Sequence, residues 1–533
     1  MRGQLLITFF DKDGVGGDYI DIFTNNVIQK RIFKNSNNLY TCPINIGDVV
    51  KLEFFDLSPI VVSTITLIRR DYTTDSSLGL NGIVETTILY DEILNTITFT
   101  ASTINSAYDF EYIVDAGIPA PPCANISTGI SQAGSALEFQ NDGKMLIGIG
   151  QPLSARATYQ GTTIGKYFRL NTDFTLDTGF SLNTTNAWTE VEDIKMYPEN
   201  KIIIAGSATS GNTSNSNGYN IRKLNSDGTE DITFNKNYFF GLIWHTEILS
   251  DNGIIAVGQF DNINPTNNTL SGATKYNGYV KLNSNGIIDN TFYSGGTGTG
   301  FETPGFINQV YSVAVQSTNK IIFGGNFTQF NGTSCRRLER LNPNGTFDNT
   351  FNSGGTGPNG IVFNITVQSD NKILVASSGG SYNGTSVGQF YRLNADGTLD
   401  TTWNNGGTGL NGDVLTPGRG EVVIELNGKY LIQAAAPSGT TLSYNGTTVG
   451  KGLIRLNSNG TLDTTWNNGG VGLISVSSPS SAAQVGSVKI NPNNNLPLAV
   501  GWGTSATLGT IRYNGTTVYG VYEFKKDGTL NNC

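Results

Sequence analysis

Two phrases repeated seven times in step, with no helical periodicity between them, predict an all-β chain closed into a seven-bladed β-propeller, preceded by a small β-sandwich-like domain. The first phrase is Leu-Asn-x-Asp/Asn-Gly-Thr-x-Asp. It stands as Leu393-Asn394-Ala395-Asp396-Gly397-Thr398-Leu399-Asp400 and as Leu456-Asn457-Ser458-Asn459-Gly460-Thr461-Leu462-Asp463. Looser copies start at Leu170, Leu224, Leu282 and Leu341, and a degenerate one at Phe524, so that successive starts lie 52 to 68 residues apart. The second phrase is a turn followed by an apolar run, often closed by Gly: Asn319-Lys320-Ile321-Ile322-Phe323-Gly324-Gly325 and Asn200-Lys201-Ile202-Ile203-Ile204-Ala205-Gly206. Its other copies begin near Gly143, Asn252, Asn371, Gly428 and Asn495, one upstream of each first phrase.

Each unit reads as four short strands. In the fourth unit these are 310–315, which alternates, then 320–325, a buried run, then 337–342 and 346–351. Asx-Gly pairs at the connections supply the φ > 0 positions of tight hairpins. A further turn phrase, Tyr-Asn-Gly-Thr, begins at Tyr382, Tyr444 and Tyr513, with related forms at Tyr159 and Phe330. Four antiparallel strands at this spacing suit a propeller blade better than a solenoid coil, and ring closure hides the edge strands. The blades divide at roughly 124–180, 181–234, 235–292, 293–351, 352–403, 404–466 and 467–533. The last phrase is stunted, and 125–130 is placed to lend a strand across the seam. Cys123 and Cys533 flank that seam, where a ring-closing disulfide is geometrically possible; two free thiols are the plainer expectation.

Residues 1–118 carry neither phrase. Strand-like runs at 4–10, 27–34, 49–55, 61–70, 84–90 and 93–100 predict a separate small all-β domain. The prolines of 119–123 make a short, semi-rigid connector.

The pairing of an Asn-Lys-Ile-Ile-x-Gly-Gly strand with Arg-Leu-Asn-x-Asp-Gly-Thr-Leu-Asp-x-x-Phe/Trp resembles the delta-60 repeat propellers, found in bacterial surface or secreted proteins and in some phage proteins. The resemblance covers roughly residues 130–530. It implies the propeller fold and brings no catalytic residues with it.

Composition narrows the chemistry. Gly at 66 residues beside 10% aromatics describes a folded chain rich in tight turns. A net charge of −9, with no basic cluster denser than Arg336-Arg337 and nearby Arg340, argues against a nucleic-acid partner. His245 is the one histidine, and Cys42, Cys123, Cys335 and Cys533 show no CxxC spacing, so triad, zinc and redox motifs are not written here. The Asn-x-Asp-Gly-x-x-Asp spacing has a superficial likeness to a calcium loop, but the Gly comes too early and no bidentate Glu follows. A turn explains the phrase at every copy, as it does Asp11-Lys12-Asp13-Gly14. No cofactor and no metal is expected.

Trp403 and Trp466 stand where other units place Phe234, Phe292 and Phe351, and read as blade core. Trp244 and His245 fall on an innermost strand beside the channel, most simply as a structural pair; Trp188 and Trp502 are ambiguous. Glu190, Glu192, Asp193, Glu247, Glu302 and Glu421 fall on or near first strands, where a carboxylate pair for glycoside hydrolysis would have to lie. Nothing in the spacing brings two of them together, so no catalytic residue is assigned.

The N-terminal apolar run is broken by Thr8 and ends at Asp11, unlike a secretion signal, and no apolar stretch is long enough for a membrane span. The expectation is therefore a cytoplasmically made, non-enzymatic structural or interaction protein: a bacteriophage virion component of tail, neck or head-fibre type. Residues 1–118 would dock on other virion proteins, and propeller loops would meet neighbours or a host glycan or protein. A bacterial surface adhesin or scaffold and a polysaccharide-acting propeller enzyme are the alternatives. Candidate contact loops are 207–218 and 262–277, and the Gly-rich 294–300, 404–409 and 467–472.

Overall fold

In a computed structural model the chain divides into two compact units, Met1–Pro122 and Cys123–Cys533. The structure describes the first unit by the backbone of its nine strands. It describes residues 129–531 except 151–156, 182–189, 208–219, 265–273, 293–300, 303–308, 412–421, 426, 435–440, 476–483, 503–510 and 519.

The first unit holds two sheets. One runs Tyr40–Asn45, Arg2–Thr8, Asp109–Asp115, Thr64–Arg69, Ile83–Thr86, with Arg2–Thr8 parallel to Asp109–Asp115. The other runs Val27–Phe33, Tyr19–Thr24, Val49–Phe55, Thr96–Thr100. Strands at 19–24, 40–45 and 109–115 were not singled out from sequence. The hairpin expected at Asp11–Gly14 lies outside the described residues.

The second unit is a β-propeller, and seven sheets of one plan are present among its described residues. In the fifth, Val362–Val367 pairs with Ile373–Ser377, which pairs with Phe390–Leu393, all antiparallel. The corresponding first strands are Gly134–Phe139, Glu190–Tyr197, Tyr238–Ile248, Gln309–Val315, Val423–Ile424 and Gln484–Ile490. The second strand is the apolar run of the second phrase and is buried along its length, as in Ile373–Ser377 and Tyr430–Ala434. A run of this kind is stable only with both faces covered, which is what packing one sheet on the next provides. One apolar cluster joins Leu137, Ile147 and Phe168 of the first sheet to Leu498, Val500 and Val521 of the seventh. Asn493 also donates to Gly143 O (3.1 Å), and the ring is closed.

The expected fourth strand does not form. Residues 346–351 contribute a single bridge, Leu341 to Phe347, and the same bridge recurs at Leu393–Leu399 and Leu456–Leu462. The reason is local. Asp348 Oδ1 accepts the N–H and hydroxyl of Thr350 two residues on, an Asx turn that competes with strand extension. The Tyr-Asn-Gly-Thr phrase does form its hairpin, Ser381–Tyr382 with Thr385–Ser386, and both Asn383 (φ 49°) and Gly384 (φ 79°) are left-handed, as a type I′ turn demands.

First and second strands meet at one end of each sheet through a short turn, and the phrase turn lies at that same end. Second strands end, and first and third strands begin, at the other end. The ring therefore has a turn face and a loop face.

Candidate functional site

The repeated phrase is a strap between units. In the fifth unit, Asp400 Oδ2 receives Lys372, the residue before the second strand (2.9 Å), and Arg392 from the third (2.8 Å), while Oδ1 caps Thr402. The Arg392 guanidinium lies 4.6 Å above the Trp403 ring and donates onward to Ser458 O in the sixth unit (3.4 Å). The same arrangement recurs at Asp177, Asp348 and Asp463, and with Lys223 for the arginine at Asp231. At Asp289 one side chain, Lys281, serves alone (3.1 Å). In the seventh unit Asn531 and Glu523 take the place of carboxylate and cation (2.7 Å).

The aromatic residue completes the strap. Trp403 presses on Gly460 of the next unit and Trp466 on Gly528; a Cβ at either glycine would stand 2.5 and 2.7 Å from ring carbon. These glycines are also left-handed (φ 84° and 81°), so both space and backbone require them. The residue after the aromatic donates its N–H to the next turn, Asn404 to Asn459 O and Asn467 to Asp527 O. Trp403 and Trp466 are thus buried, as expected, but between units rather than inside one. Burial would raise the strap carboxyls. Hydrogen bonds from Lys372 and Thr402, with Arg392, outweigh it and hold Asp400 far below the usual range; Asp231, Asp348 and Asp463 behave alike.

The inner ring is joined differently. First strands carry a bulge at one position, between Val191 and Asp193, Ile243 and His245, Val310 and Ser312, and Val362 and Asn364. The residue after the bulge reaches the next first strand. Asp193 accepts the N–H and hydroxyl of Thr246 (2.7 and 2.6 Å), His245 Nδ1 accepts Val313 N–H (3.3 Å), and Ser312 Oγ accepts Ile365 N–H (3.1 Å). The bulged residues Trp244, Tyr311 and Phe363 form an aromatic row, with ring centroids 4.6 and 5.8 Å apart.

The sequence-derived candidates separate accordingly. Trp244 and His245 are buried on one inner strand. Asp193 is spent on Thr246, Glu192 is buried at the bulge, and Glu190 and Glu247 are half-buried on their strands. Glu302 lies on the two-residue strand Phe301–Glu302. Glu421, Trp188, Cys123, Cys533, residues 208–218 of loop 207–218, residues 265–273 of loop 262–277 and all of 294–300 lie outside the described residues; Trp502 ends the strand Pro497–Trp502. The stretches 404–409 and 467–472 belong to the inter-unit links: Asn404 pairs with Asn445, and Asn467 with Asn514. Sequence reasoning passed over Glu339, whose equivalents in neighbouring units, Tyr391 and Ile454, are uncharged. Burial pushes its carboxyl up to about 7, against the opposing hydrogen bond from Arg336 N–H and that residue's charge. Cys335 beside it is a buried free thiol.

A model of a β-propeller domain of unknown function, DUF5122, matches residues 198–234, 316–351, 368–402 and 438–465. The first three of those stretches run from the second-strand turn to the strap aromatic or its neighbour, so the family repeat and the strap are one unit. Solved propellers share the fold at low likeness. Virginiamycin B lyase from Staphylococcus aureus is 13% identical, over 62% of this chain and 84% of that one, with a TM-score of 0.32. A gluconolactonase from Xanthomonas campestris is 9% identical, over 59% and 89%, at 0.30. PorZ, a surface component of the type-IX secretion system of Porphyromonas gingivalis, is 12% identical, over 74% and 50%, at 0.29. No curated protein matches the chain.

Proposed function

We propose that this chain is a non-catalytic structural and binding protein, a bacteriophage virion component whose first unit grips the particle and whose propeller meets a neighbour or a host-surface glycan or protein. The observation that carries this reading is the use made of charge. The carboxylates repeated round the ring are each committed to a Lys, an Arg or a Thr in a strap, and the straps tie unit to unit. Such a ring is a rigid frame for the long connections on its loop face, which is where binding residues on a β scaffold are placed. A Gly-, Asn- and Thr-rich β composition supports the virion setting.

The test is density-gradient fractionation of the source culture's supernatant, with peptide mass spectrometry for this chain across the fractions. Co-banding with DNA-containing particles is the expected result. Recovery only with cells or as free protein overturns the virion setting and favours a surface adhesin, to be followed by glycan-binding and hydrolysis assays.

A further inference from the structure

The start of the third strand, on the loop face, carries one residue per unit whose carbonyl accepts an N–H from the end of the second strand. Gly278, Gly452 and Gly520 hold this position in three units, with φ of 87°, 99° and 89°. In three others a long polar side chain holds it and is bonded within the protein: Lys166 to Gln132 Oε1 (3.1 Å), Asn220 to Gly241 O, and Gln389 to Ser378 O (3.4 Å). In the fourth unit the residue is Arg337, which accepts Gly325 N–H (2.9 Å) and is left-handed at φ 60°.

Arg337 is therefore anomalous twice. A bulky residue occupies a backbone conformation that three other units give to glycine, and it has no intrinsic reason to adopt it. Its side chain, half-buried, also lacks the internal partner that Lys166, Asn220 and Gln389 have: Nε is buried without a hydrogen-bond partner among the described residues. The neighbouring acid, Glu339, accepts Arg336 N–H through Oε1 (2.9 Å) and makes no hydrogen bond or ion pair with Arg337 among the described residues. Exposed Arg336 adds a second positive charge, with Nη1 donating to Thr356 O (2.9 Å). Strain held at a cationic side chain whose Nε has no hydrogen-bond partner among the described residues is the pattern of a preformed ligand contact rather than of a packing residue.

The geometry points to Arg337 as an oxyanion-binding residue on the loop face, taking a carboxylate or phosphate group of a ligand, with Arg336 raising the local positive potential. The planar guanidinium suits two parallel N–H···O bonds to such a group. This assignment stands apart from the virion setting, because it concerns one side chain and its ligand and not where the protein resides.

The experiment uses the full chain at low salt. Calorimetric titration with trigalacturonate, which offers carboxylates, and with glycerol 3-phosphate, which offers a phosphate monoester, is run on wild type, Arg337→Gly and Arg337→Lys, alongside ligand-free melting. The expected result is binding of at least one probe by wild type, at least tenfold weaker in Arg337→Gly, intermediate in Arg337→Lys, with Arg337→Gly melting higher than wild type because the strain is gone. The probe that binds identifies the anion class. Binding of neither probe by wild type, equal binding by Arg337→Gly, or a lower melting point for that variant each overturns the assignment.

Discussion

The outer rim and the inner ring of the propeller solve the same problem, joining one sheet to the next, in different ways. At the rim one phrase does it repeatedly, with Asp, Lys or Arg and an aromatic at fixed spacing. At the inner ring the post-bulge residue does it with whatever side chain stands there: Asp193, His245 or Ser312. The difference follows from what each device needs. A rim strap needs a carboxylate, a cation, a ring and a glycine together, so its residues are narrowly fixed. An inner link needs only an acceptor for one N–H, which several side chains supply.

The sharpest way to break that comparison is Asp400→Ala. It leaves Lys372 and the buried Arg392 without their carboxylate and Thr402 uncapped, and is expected to cost about 3–5 kcal/mol, the range for an orphaned buried ion-pair partner. Chemical unfolding measures it. A loss under ~1 kcal/mol would mean that the strap is decoration.

Ser312→Ala at the inner ring removes the acceptor for Ile365 N–H and is expected to cost about 1–3 kcal/mol, the range for one buried unsatisfied donor. It should be milder than the rim variant in the same assay. An equal or larger loss would erase the distinction.

Acid acts on the rim. The strap aspartates are held well below their unfolded value, roughly 3.9. Their stabilisation is therefore fully present above that pH and is lost as pH falls toward their folded values. Melting temperature should fall below pH ~4, and less steeply in Asp400→Asn than in wild type. Glu339 runs the other way. Its folded value of about 7 lies above the unfolded one, so stability should decline as pH rises from roughly 4.3 through 7. Glu339→Gln should flatten that decline and melt higher than wild type at pH 8.

The smallest expected effect is Tyr444→Phe. It deletes the hydroxyl that donates to Gly460 O and should cost about 1 kcal/mol. The fourth unit already carries Phe330 at this place and is still closed.

Much of this frame was legible in the residues. The phrase spacing marked each turn, Asn383-Gly384 marked its hairpin, and the runs such as Ile373–Ser377 marked the buried strands. The Asn-x-Asp-Gly phrase forms the expected turn: Asp396 caps Thr398, and Asp400 takes Lys372 and Arg392. The fourth strand was misread because 346–351 alternates like a strand, while the Asp348 side chain captures the backbone first.

By itself the sequence determined what is local and repeated: turns, strand positions, and the count and order of the phrases. Those depend on φ preferences and side-chain spacing within a few residues, and repetition makes the signal visible. Only the tertiary structure decided which residues meet across units. Arg392 reaches Ser458 O, Trp403 meets Gly460, and His245 meets Val313, although each pair is 57 to 68 residues apart. Ring closure sets those contacts through the placement of whole sheets, and no pattern within one unit encodes where its neighbour's backbone will lie.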